Sequence, residues 1–353
     1  MQLVIKELGD ASRSENWTIR RTCADLMGEI RSTLAHSYLI NLLEDDNSEV
    51  RWGAVHALRL IGVRGSAIQG LLPLLNDPFW VVQGETAMTL GELGAIEAIP
   101  QLGQLLDSNL TYCRISATYA LVKLSFSLSK PNAEKLLNSP SQRVQTLANF
   151  ATQVVAHPNK TVFIRKSLKN GSSLVREAAL MLLVRLKDFS ASPEIVLLLT
   201  DSLSSVRATA VAALGKLQAY EFTSEIVRLM LSDPEAMVKT SAVGALESMH
   251  AKEAFPHFFE AAKDESPEVR LVVARSFGRL RLAKARPVLK ELAQTDPNSE
   301  VRSHAVRALG FIANPKDLKF FQNISIHEKD SEVIQTIEGA VENISKGERK
   351  LSP

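Results

Sequence analysis

The chain has 353 residues, 45% of them hydrophobic, a formal net charge of +2 and two cysteines. That charge demands neither nucleic acid nor a membrane surface as partner. Two thiols are too few for a disulfide framework, and no apolar run approaches the roughly 18 residues of a membrane span. The start, MQLVIKELGD, lacks the segments of a signal peptide, so a cytoplasmic location is expected.

In chain order the sequence restates one motif: EVRWGAVHALRLI at 49–61, EVRLVVARSFGRL at 268–280 and EVRSHAVRALGFI at 300–312. Aligned on its valine, the motif has anchors at Ile19, Val50, Val82, Cys113, Val144, Val175, Val206, Val238, Val269, Val301 and Val333, always 31 or 32 residues apart. That spacing leaves no room for an inserted domain or a long linker.

Each repeat reads as two helices. With the anchor as position 0, apolar residues recur at +4, +7, +8 and +11, a helical period; Ala54, Ala57, Leu58 and Ile61 show it in the second repeat. First helices are predicted before the anchors, as in AIPQLGQLLD, SPEIVLLLTD and ARPVLKELAQ. Pro100, Pro193 and Pro287 lie near their starts, where a missing N–H costs little. Gly62 and Gly94 stand where a left-handed cap would end a second helix.

Position +1 is basic in eight repeats: Arg20, Arg51, Arg114, Arg176, Arg207, Lys239, Arg270 and Arg302. Six residues before most of them stands Asp or Asn, as at Asp45, Asn170, Asp201, Asp233, Asp264 and Asp296. The pattern predicts a ladder in which each turn-borne acid or amide bonds a basic group on its own or a neighbouring second helix. A ligand-binding arginine would have no reason to recur at fixed register.

Asp-x5-Arg/Lys with V-R-x-x-A-x-x-A-L-G-x-L resembles the HEAT repeat, in the short bacterial form named after PBS lyases, which attach or detach bilin. The resemblance implies an all-α, right-handed α-solenoid of about eleven two-helix repeats over residues 1–346, with a tail at 347–353. It also implies that the second helices line the concave surface. The motif residues are packing residues, so they carry little about function.

No catalytic constellation is found. Cys23 and Cys113 occupy core positions. His250 and His257 are the closest histidine pair and have no cysteine nearby, so no metal or cofactor is expected. HEAT-repeat hydroxylases of a modified lysine carry repeated His-Glu pairs for iron, whereas here only His327-Glu328 occurs. Gly215-Lys216 lacks the rest of a phosphate loop.

The outward side of each second helix is expected at +2, +6, +9 and +13. Repeats seven to eleven fill that row mostly with polar or small residues. Repeats two to six place Trp52, Met88, Ile115, Tyr119, Val122, Phe126, Phe150, Met181 and Val184 there. Aromatic and Met clusters suit a protein-binding hot spot; lateral packing between adjacent helices is the alternative, most of all for Val122 and Val184. Trp17 and Trp80, at −2, read as wedges at the turn between helices.

RSFGRLRLAKARPVLK, 275–290, is basic without an acid, and Arg275, Arg279 and Arg307 form a candidate patch for an anionic partner. Nearby Asp264, Glu268 and Asp296 favour a solvated charged face over nucleic acid. The leading expectation is a non-enzymatic scaffold that grips a protein or peptide through Trp52, Met88, Ile115, Tyr119, Phe126, Phe150 and Met181. A bilin lyase or chromophore-protein chaperone and a nucleic-acid binder are the alternatives. Apolar LVIKEL near the start further suggests that the first repeat folds over, pairs with another subunit or continues earlier sequence.

Overall fold

The computed structural model describes residues 1–62, 65–127, 134, 136–312 and 317–345, without the side chains of 111, 125–127 and 343–345. The expected tail at 347–353 lies outside the described residues. Every regular element among the described residues is helical. The chain divides into two compact units, Met1–Arg185 and Leu186–Pro353.

In the N-terminal unit α1 (Gln2–Ala11) precedes α2 (Trp17–Ile30), and α3 (His36–Asn41) precedes α4 (Ser48–Ile61). Next come α5 (Ser66–Leu71) with α6 (Trp80–Leu93), and α7 (Ile99–Leu105) with α8 (Thr111–Ser127). They are followed by α9 (Gln142–Ala156), α10 (Lys160–Ser167) and α11 (Ser173–Arg185). The second helices α2, α4, α6, α8, α9 and α11 pack each against the next.

The C-terminal unit repeats the scheme. Its pairs are α12 (Ser192–Ile195) with α13 (Ser204–Lys216), and α14 (Thr223–Ser232) with α15 (Ala236–Met249). Then come α16 (Phe255–Ala261) with α17 (Pro267–Arg279), α18 (Arg286–Thr295) with α19 (Ser299–Phe311), and α20 (Leu318–His327) with α21 (Ser331–Ser345). Here too α13, α15, α17, α19 and α21 pack in succession.

Each anchor is the third residue of its second helix. From Val50 onward every anchor is at most 6% exposed, whereas Ile19 is 39% exposed. One helix pair cannot cover its own apolar stripe, so each stripe is buried against the neighbouring pair. Pro100, Pro193 and Pro287 occupy the first turn of their helices. Gly62 and Gly94 are left-handed caps at φ 75° and 72°. The equivalent residues Arg31, Lys187, Gln218, His250 and Arg281 adopt the same conformation at φ 49–54°.

The ladder joins many of the repeats to their successors. Arg51 Nη1 donates to the carbonyls of Asp45 and Asp46 in its own turn. Its Nε and Nη2 donate to both carboxylate oxygens of Asp77 in the next turn, at 2.7 and 2.9 Å. Asp77 in turn accepts the backbone N–H of Phe79, capping the turn that enters α6. The same link runs from Arg20 to Asp45, Arg207 to Asp233, Lys239 to Asp264, Arg270 to Asp296 and Arg302 to Glu328. Gln83 and Gln145 replace the cation and donate to their own turns, at the carbonyls of Asp77 and Ser139.

Candidate functional site

Glycine at +9 shows which way that position faces. A Cβ on Gly91 would lie 2.6 Å from the Ala120 Cα of the next second helix, and Gly28, Gly215 and Gly278 meet Ala57, Ala245 and Ala308 in the same way. In those repeats position +9 is a helix–helix contact rather than an outward one, whereas a Cβ on Gly310, at +9 of the tenth repeat, would meet nothing within 4 Å. Val122, at +9, is 4% exposed. Lys123 and Glu92, at +10, stand half-buried instead.

Of the candidate partner-binding residues, Trp52, Met88, Ile115, Tyr119 and Met181 are half-buried. The side chain of Phe126 lies outside the described residues. Phe150 leaves the row: it is 4% exposed and stacks on Phe163 at 6.2 Å between ring centroids. α9 exposes Gln142, Asn149, Thr152, Gln153, Val155 and Ala156, and in its middle Asn149 is exposed one position earlier than the outward face elsewhere. That offset turns Phe150 inward. Trp17 is buried at 6% exposure, whereas Trp80 is 43% exposed and meets Tyr112 edge-on.

The half-buried row is knitted together by polar groups that sequence reading missed. The Arg21 guanidinium lies 4.3 Å from the centre of the Trp52 ring, a cation–π contact. Trp52 stacks on His56, one turn along α4, at 5.5 Å. His56 Nδ1 stands 3.0 Å from Glu85 Oε1, and Arg59 Nε donates to the same oxygen at 3.1 Å. Further along, Glu92 accepts from the Tyr119 hydroxyl and from Lys123 Nζ, the latter at 2.6 Å. α2, α4, α6 and α8 are thus bridged on one side by aromatic and charged groups.

Both carboxylates are held ionised. Burial pushes Glu85 up, but the hydrogen bond from His56 and the charge of Arg59 outweigh it and leave the group below its ordinary value. Burial likewise opposes, and Lys123 with Tyr119 overcomes, the ionisation of Glu92. Burial and the Glu92 carboxylate together push the Tyr119 hydroxyl up, so it stays a donor. No periodic signal marks Glu85 or Glu92, since each serves one junction only.

The basic cluster is largely paired within the fold. Arg279 Nη1 lies 3.4 Å from Glu247, which also accepts from the Ser276 hydroxyl. Arg286 and Lys290 converge on the fully buried Asp317 at 2.5 and 2.7 Å. Arg275 and Arg307 are half-buried, and Arg279 is exposed. Glu328, of the one His-Glu pair, takes both Nε and Nη2 of Arg302 at 2.8 Å. Among the described residues no cluster of three or more His, Cys, Asp or Glu could hold a metal ion. Cys23 and Cys113 are buried thiols not joined in a disulfide, and burial pushes Cys113 up to about 11. No helix among the described residues is long and apolar enough to cross a membrane.

The family model for HEAT repeats matches residues 5–69, 68–153, 161–247 and 255–342. No curated protein matches the chain. Among solved structures, an engineered protein is 21% identical over 97% of this chain and 98% of its own, with a TM-score of 0.34. Kap121p bound to Ste12p is 14% identical over 99% of this chain and 46% of its own, with a TM-score of 0.44. The chain therefore spans just under half the length of Kap121p. Human deoxyhypusine hydroxylase in complex with glycerol is 16% identical over 91% of this chain and 98% of its own, with a TM-score of 0.42.

Proposed function

Because the chain belongs to the HEAT-repeat family, we propose that it is a non-enzymatic scaffold or adaptor. It holds a protein or peptide partner along the second helices of its N-terminal unit. The carrying observation is the interlocked row on α2, α4, α6 and α8: Trp52 clamped between Arg21 and His56, and Tyr119 fixed by Glu92. Aromatic side chains already held in place lose little conformational freedom when a partner covers them, which favours affinity. Met88, Ile115 and Met181 supply adaptable apolar contact beside them.

A scaffold also fits the electrostatics. Glu85 and Glu92 are each tied to cations and held below their ordinary values, so neither is poised to exchange a proton near neutral pH. Buried thiols that form no disulfide fit a reducing, cytoplasmic setting. The short repeat spacing supports the PBS-lyase-like subtype, but no residue is assigned to bilin.

Affinity capture from the native cell extract tests this reading, with folding checked by circular dichroism and nuclease-treated controls. Wild type is compared with the double variants Trp52→Glu/Tyr119→Glu and Arg275→Glu/Arg307→Glu. A protein kept by wild type and the arginine variant but lost from the aromatic variant is the expected result. Retention of every captured protein by the aromatic variant would overturn the site. A pigmented complex would point to the bilin reading, and a nuclease-sensitive one to nucleic acid.

A further inference from the structure

One edge of the C-terminal unit carries a second, differently built surface. It is formed where chain leaving a left-handed residue enters the next first helix. Those residues are Lys187, Gln218, His250 and Arg281, and two positions further on stand Phe189, Tyr220, Lys252 and Ala283. At the start of this edge Leu186, Phe189 and Tyr220 are 51%, 59% and 51% exposed, a density of large apolar surface that water disfavours.

The other end of the edge is different. A recess of about 430 Å³ opens there, with apolar walls from Phe255, Leu280 and Leu282 and a cationic rim from Lys252, Arg279 and Arg281. Among the described residues no acidic one lines it. Lys284, also exposed, follows on the same turn. Glu221 and Glu253 share the edge outside the recess, so the positive excess is confined to that end.

We propose that this edge binds an extended protein segment in which apolar residues are followed by acidic ones. The apolar side chains cover Phe189 and Tyr220, and the carboxylates enter the recess between Lys252 and Arg281. Charge complementarity selects this occupant: the recess offers Lys252 and Arg281 beside apolar walls, with Arg279 partly neutralised by Glu247, which matches a carboxylate carried on an apolar stem.

The repeat also sets a register. Because α13, α15 and α17 pack side by side, equivalent positions on neighbouring repeats are about 10 Å apart. An extended chain rises about 3.3 Å per residue. Successive contacts should therefore fall about three residues apart, with the acids about six residues beyond the first apolar anchor.

The test is fluorescence anisotropy of the full chain with a labelled peptide of about sixteen residues on that spacing: Leu and Phe three apart, then Glu-Asp pairs. Two control peptides replace the acids by Lys or the apolar pair by Ser. Wild type should bind the first peptide and weaken about tenfold or more between low and high salt, because exposed charges are screened. Lys252→Glu/Arg281→Glu and Phe189→Ser/Tyr220→Ser, both checked for folding by circular dichroism, should each lose about tenfold or more, which is ~1.4 kcal/mol. Trp52→Glu/Tyr119→Glu should bind as wild type does, which separates this edge from the N-terminal row. Absence of binding by wild type, equal binding of the Lys peptide or unchanged binding by the recess variant would overturn the proposal. So would displacement by a simple polyanion at matched charge, which would reduce the edge to a non-specific basic patch.

Discussion

Arg51 and Asp77 illustrate how a surface-type ion pair changes when a neighbouring repeat covers it. Their side chains are 9% and 2% exposed, and the guanidinium fork is filled on both sides by carboxylate and carbonyl oxygens. Arg51→Ala leaves the Asp77 carboxylate buried and unpaired, so it should cost roughly 3–5 kcal/mol in urea unfolding. Arg143→Ala breaks a pair whose side chains are 41% and 67% exposed, and its ion-pair loss should stay below about 1 kcal/mol. Equal losses would mean that burial does not govern the ladder. Gly91 belongs to the same scale. Gly91→Ala drives a methyl into the Ala120 backbone and should cost about 1–3 kcal/mol, measured as a lowered unfolding midpoint.

Among the elements, α19 and the turn before α21 show the ladder acting through protonation. Glu328 lies at about 2, set first by the hydrogen bonds from Arg302, against an ordinary 4.5. A depressed value means that the unfolded chain takes up the proton first as pH falls. The stability contributed by the pair is therefore complete above about pH 4.5 and is lost as pH falls toward 2. Glu328→Gln should flatten the acid side of the stability profile across that window, by urea titration at stepped pH. An unchanged slope would show that the pair is not what titrates. Glu328 carries no signal in the sequence because Ile334, not a cation, stands six residues after it. The bonds run forward, to the neighbouring repeat rather than within the same one, and Asp77 is silent in the sequence for the same reason, since Gln83 stands six residues after it. α9 adds a second lesson: a one-residue rotation carries Phe150 inward while Tyr119 and Met181 stay at the outward face.

At the scale of the molecule, contacts within each compact unit run from one repeat to the next, so the stability of each unit should be close to a sum of local terms. Gly91→Ala and Gly278→Ala sit in different compact units and contact different helices. Their effects should add within about 0.5 kcal/mol, whereas Gly91→Ala combined with Ala120→Gly should couple, because the added methyl faces the removed one. Unfolding of the two double variants beside the singles checks both statements. The half-buried apolar row belongs to Met1–Arg185, and the basic cluster to Leu186–Pro353.

The sequence by itself determined the helical repeat, its period, its anchors and the glycine caps at Gly62 and Gly94. Those features are written in residues that face the same environment from the second copy onward, so repetition amplifies them: Val50 and Val301 are buried for one reason. Only the tertiary structure decided what lies between copies. The forward direction of the ladder, the contact role of position +9, the inward turn of Phe150 and the clamping of Trp52 all depend on where the next helix stands. A neighbouring helix supplies half of each such contact, and no single repeat contains that half.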